Sequence, residues 1–159
     1  MKKRKTTLVG IALVALAVLI ILASVFLPRL GAKRDMKERL EAAASPTVQY
    51  VAVLDPHHQN QGLLAGNGKE VLLQGEALQN VQRLLLQLSA QMRFSKTTKE
   101  MAAGIDLRIT VKGADGSTTL LYFEKDRFYF IEGERVHYFT PKDTQAYEAL
   151  LQALYAALQ

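Results

Sequence analysis

The chain has 159 residues, 49% of them hydrophobic, with 20 Lys+Arg against 15 Asp+Glu and no cysteine. Without cysteine there is no disulfide framework, thiolate metal site, cysteine nucleophile or lipid-bearing cysteine. The formal charge of +5 is unevenly spread: residues 1–45 carry +6 and residues 46–159 carry −1. The basicity therefore belongs to one end, and the larger part lacks the basic patch that nucleic-acid binding requires.

Leu8 to Leu27, LVGIALVALAVLIILASVFL, is twenty residues without a charge, an amide or a proline. At about 1.5 Å per helical residue such a run covers the ~30 Å hydrocarbon core of a bilayer. A cleaved signal peptide has a shorter apolar stretch and small residues at its cleavage site, and Leu30 and Ala32 fit such a site poorly. A soluble core helix would carry a polar face, whereas here only Ser24 and Gly10 interrupt the run. The expectation is an uncleaved transmembrane anchor. Lys2, Lys3, Arg4 and Lys5 before it favour a cytoplasmic amino terminus. Arg29, Lys33, Arg34, Lys37 and Arg39 after it weigh the other way, but long following domains translocate largely regardless of charge. The expected layout is a basic cytoplasmic tail over 1–7, an anchor over 8–27, a helical stalk over 28–45 and an extracytoplasmic domain over 46–159.

The stalk rests on Ala32 to Ala44, a run of strong helix formers, ended by Ser45-Pro46 because the residue before proline is pushed out of the helical region. Val48 to Leu54 then reads as a buried strand, rich in apolar and β-branched residues. Asp55-Pro56 closes it, His57 to Gly62 is a polar loop, and Gly66-Asn67-Gly68 turns into a short strand over Lys69 to Gln74. Glu76 to Phe94 predicts an amphipathic helix, with Leu78, Val81, Leu85, Leu88 and Met92 on one face. Ser95 to Gly104 is a polar connection.

From Ile105 the period changes to two. Four strands are expected, over Ile105–Lys112, Thr118–Glu124, Arg127–Ile131 and Arg135–Thr140, and their short links force an antiparallel meander. Thr140 as N-cap and Pro141 at the first helical position start a closing helix that runs to Leu158. The fold class is α+β: a transmembrane helix followed by a small two-layer domain with a mostly antiparallel sheet, a four-stranded meander and two amphipathic helices.

Chemistry-bearing motifs are sparse. Asp55, His57 and His58 offer a carboxylate and two imidazoles to a metal, but no second cluster adds ligands, and His137 is distant in sequence. Gly62, Gly66, Gly68 and Lys69 mimic a phosphate loop with the wrong spacing, and Glu70 stands where a hydroxyl belongs. Glu124, Asp126, Glu132 and Glu134 bracket hairpin turns among Lys125, Arg127 and Arg135, a pattern of solvated edges. No hydrolase or metalloprotease signature is present, so neither catalysis nor a cofactor is expected.

Tyr122, Phe123, Phe128, Tyr129, Phe130, Tyr138 and Phe139 crowd into three adjacent strands. Alternation puts Phe128 and Phe130 on one face and Tyr129 on the other. An exposed aromatic stripe rimmed by charge is a binding surface for a peptide or protein, which makes Tyr122, Tyr129 and Tyr138 the candidate partner-binding residues. The competing reading is that a helix covers each face. The functional expectation is a single-pass membrane protein whose domain binds a protein or peptide. An envelope enzyme or metal-dependent factor using Asp55, His57 and His58, and an assembly protein pairing through Gly10, Ala12, Ala15 and Ala17 of the span, are the alternatives.

Overall fold

The computed structural model describes residues 2–48, 50–55, 69–99 and 106–159. They fall into two compact units, Met1–Arg34 and Asp35–Gln159. Helix α1, Lys2–Ala43, contributes to both.

In the first unit α1 continues through Pro28, the residue that ends the apolar run. Proline has no N–H to give the carbonyl four residues earlier, that of Ser24, and the Ser24 hydroxyl donates to the Ile21 carbonyl at 2.8 Å. Large apolar side chains from Leu13 to Leu30 are 43–65% exposed. Leu13–Ala43 contains a window of mean hydropathy 2.5, none of it buried. This helix is long and apolar enough to cross a membrane.

The second unit contains β1 (Tyr50–Asp55), β2 (Lys69–Leu72), α2 (Gly75–Ala90), β3 (Met92–Thr98), β4 (Leu107–Lys112), β5 (Thr118–Phe123), β6 (Phe128–Glu132), β7 (Arg135–Pro141) and α3 (Thr144–Ala157). The unit is α+β, with one antiparallel sheet in the order β2-β1-β4-β5-β6-β7-β3. Strands β4 to β7 are the expected meander. Among the described residues the sheet nevertheless has seven strands: β1 and β2 join it beside β4, and β3 joins beside β7.

β3 corrects the sequence reading. Met92 extends the three- and four-residue rhythm of α2, and the sequence predicts a helix reaching Phe94, but it ends at Ala90, and Gln91 adopts φ −120°, ψ 41°. The Gln91 carbonyl instead accepts from the Lys142 N–H at 2.7 Å, which ties the start of β3 to the end of β7. A second correction concerns α3. β7 runs on to Pro141, and the N-cap is Asp143, whose carboxylate accepts from the Ala146 N–H at 3.0 Å, in place of Thr140.

Register sorts the sheet into two faces, because directly paired residues share a side. One face is phenylalanine-rich: Phe123 pairs with Phe128, Phe128 with Phe139, and Phe139 with Phe94. Tyr147 of α3 packs on it, 6.5 Å from the Phe123 ring and 5.8 Å from Phe128. α2 packs beside α3 and buries Val81, Leu84, Leu85 and Leu88. The end of α1 also contributes to this core. Met36, Leu40 and Ala43, spaced at one helix face, are fully buried, and the Arg39 guanidinium lies 4.5 Å from the Phe130 ring centre. Residues 35–43 are thus part of the second compact unit, upstream of the boundary expected at Ser45-Pro46.

Candidate functional site

The opposite face carries the tyrosines. Glu70 pairs with Leu54, Leu54 with Arg108, Arg108 with Tyr122, Tyr122 with Tyr129, Tyr129 with Tyr138, and Tyr138 with Lys96. One row of side chains therefore crosses all seven strands, with three tyrosines between two cations. The Tyr122 and Tyr129 rings stack at 5.0 Å and 7°, and those of Tyr129 and Tyr138 meet at 5.0 Å and 47°. Cations cap the Tyr138 end: Arg127 lies 4.9 Å and Lys96 5.6 Å from its ring centre. At the other end Arg108 faces Glu70 at 3.8 Å.

The three residues singled out from alternation are therefore neighbours in one ladder. Their exposure differs from expectation: Tyr129 is 1% and Tyr138 2% accessible, and only Tyr122 is half-exposed. Val136 is buried with them and Ile131 packs alongside. Burial pushes the Tyr129 hydroxyl pKa strongly up, with the Glu124 carboxylate adding to the effect. Burial also raises that of Tyr122, opposed by Arg108. Both hydroxyls are neutral hydrogen-bond donors at neutral pH.

Four buried polar atoms close to this row, Arg108 Nε, Thr110 Oγ1, Glu124 Oε1 and Tyr129 OH, have no hydrogen-bond partner among the described residues. Thr110 lies two residues from Arg108 on β4, and Glu124 two from Tyr122 beyond β5, so alternation directs them to the same side. The other carboxylate oxygen of Glu124 accepts from Arg127 Nε, which holds the Arg127 pKa above its usual value. Interiors leave few polar groups unsatisfied, and three of these four atoms are hydrogen-bond donors. Sequence reasoning found the tyrosines but missed Lys96, because β3 was not read as a strand. It also assigned Glu124 and Arg127 to a solvated edge, although Glu124 is 9% exposed. Their i, i+3 spacing across a two-residue turn was the available signal.

His57 and His58 lie outside the described residues, as do Gly62, Gly66 and Gly68, while Asp55 pairs with Lys69 at the ends of β1 and β2. Among the described residues no three His, Cys, Asp or Glu side chains are grouped to hold a metal. His137 sits on the phenylalanine face, stacked on Phe130 at 4.8 Å. Its Nδ1 is 2.9 Å from the Thr97 hydroxyl and its Nε2 3.5 Å from Glu132. Burial lowers its pKa, partly offset by Glu132.

No protein-family model, curated protein or solved structure matches this chain.

Proposed function

We propose that this is a single-pass membrane protein with a cytoplasmic amino terminus, whose extracytoplasmic α+β domain acts by binding a protein or peptide and not by catalysis. The apolar, unburied length of α1 supports the anchor, and the denser basic cluster ahead of it supports the orientation. The observation that carries the binding reading is the tyrosine row with unsatisfied donors beside it. These donors are buried in the free protein, so a partner reaches them only as the row opens on docking. The acceptors it then supplies to Arg108, Thr110 and Tyr129 remove the cost of leaving them unpaired. Tyr122 and Arg108 are the accessible members through which contact begins.

The test uses the intact protein in its own membrane. Carbonate washing should leave it in the pellet, and protease added outside intact cells should remove the domain. A photo-crosslinking residue at position 122 should then yield a discrete adduct absent when the same probe is placed at exposed Lys125. Release into the aqueous fraction would end the anchor reading, and no adduct at 122 would end the binding reading.

A further inference from the structure

The sheet ends in two unequal edges. β2 has four residues, whereas β3 has seven and, among the described residues, pairs only with β7. Arg93, Ser95, Lys96 and Thr97 of β3 are exposed. Such an edge is a template for another strand.

The β3 edge carries an irregularity that sets its charge pattern. Arg93 pairs with Thr140 and Phe94 with Phe139, but Lys96, not Ser95, pairs with Tyr138. In an uninterrupted strand Lys96 would share a side with Phe94. The bulged extra residue moves it across. Thr140 and Tyr138 are two apart on β7 and so share the tyrosine face. Arg93 and Lys96 consequently occupy consecutive positions on that face, at the outer edge of the sheet. Lys99 follows, 77% exposed and only 3.8 Å from Glu134. A second copy of β3 laid against this edge would oppose cation to cation, which disfavours self-pairing.

Building on the binding reading above, we infer that the β3 edge receives an extended segment of the partner by strand addition, one that carries carboxylates on alternate residues. The added strand supplies main-chain hydrogen bonds along the outer side of β3 from Arg93 to Thr97 and sets two carboxylates beside Arg93 and Lys96. It extends the tyrosine row to an eighth position next to Lys96, whose ammonium already lies over Tyr138. Charge selects the partner and its register, and the backbone ladder holds it.

The probe is a fluorescein-labelled peptide, Thr-Glu-Val-Glu-Val-Thr, titrated by anisotropy into the full-length protein in detergent micelles. It should bind about tenfold more tightly than its glutamine analogue, as two exposed ion pairs allow. Alternate amides of a strand point to opposite edges, so N-methylation of one alternate set should abolish binding and of the other set leave it intact. Arg93→Glu with Lys96→Glu should lose the acidic peptide and bind a Thr-Lys-Val-Lys-Val-Thr peptide instead. Equal binding of the glutamine analogue, or equal tolerance of both methylated sets, overturns the inference even if the double variant fails to fold. In intact membranes, a photo-crosslinker at 95 separates the two readings. An adduct at 122 without one at 95 removes strand addition and leaves the binding function standing, while none at either position removes both.

Discussion

Tyr147 of α3 reaches the turn between β5 and β6, and its hydroxyl lies 2.7 Å from the carbonyl oxygens of both Glu124 and Arg127. One proton shared between two acceptors fastens the helix layer to the hairpin whose residues build the end of the tyrosine ladder. The same ring packs on Phe123 and Phe128, so Tyr147 links the two faces of the sheet through one side chain. Burial pushes its pKa strongly up, and it remains a donor at any physiological pH.

Tyr147→Phe keeps the ring packing and removes the donor, leaving two turn carbonyls without it. The expected loss is about 1–3 kcal/mol, the usual cost of an unsatisfied buried acceptor, seen as a drop of several degrees in the thermal midpoint by near-UV circular dichroism. An unchanged midpoint would mean that water replaces the hydroxyl at no cost.

Leu40→Ala tests whether the end of α1 belongs to the folded unit. Leu40 is fully buried with Met36 and Ala43, and deleting such a side chain costs about 2–5 kcal/mol. Glu41→Ala, one residue on and exposed, should stay within about 0.5 kcal/mol. If 35–43 were a solvated stalk, both substitutions would be silent in denaturant titrations of the full chain.

That contrast shows why some features could be read from sequence and others could not. Meander strands β4 to β7 announce themselves because their alternation and short turns are local. The tyrosines are assigned to one face by the same period of two. The role of Met36 and Leu40 is invisible in a run of good helix formers, since a four-residue apolar spacing among charges fits either a stalk or a docked helix. β3 is hidden for a different reason. Met92 continues the apolar rhythm of α2 while contributing to the core from a strand, and propensity cannot choose between the two until β7 supplies a partner. The ladder itself depends on register across seven strands, a non-local property.

Acid sensitivity should trace to His137. Its folded pKa lies below the ordinary value of 6.5, chiefly because of burial, so the unfolded chain binds the proton more readily. Stability on this account is constant above about pH 6.5 and falls as the pH drops from there toward the folded pKa. Protonation also turns Nδ1 and Nε2 both into donors, so the Thr97 hydroxyl must then accept. Denaturation midpoints at pH 7.5 and 5.5 should diverge more for the native chain than for His137→Gln. Equal divergence would assign the effect to the carboxylates instead.

Tyr129→Phe separates a structural role for the ladder from a binding one. The hydroxyl is buried and has no hydrogen-bond partner among the described residues, so its removal should leave the free protein as stable or slightly more so, because a polar atom without a partner costs free energy where it stands. The ring stack with Tyr122 and Tyr138 survives in phenylalanine, whereas Tyr129→Ala, which empties a site only 1% exposed, should cost about 3–5 kcal/mol. Against the crosslinking partner the order reverses in kind: Tyr129→Phe should lower the adduct yield at position 122 while the melting curve is unchanged. Loss of stability in Tyr129→Phe without loss of crosslinking would place the hydroxyl in the architecture of the sheet and remove it from the binding surface.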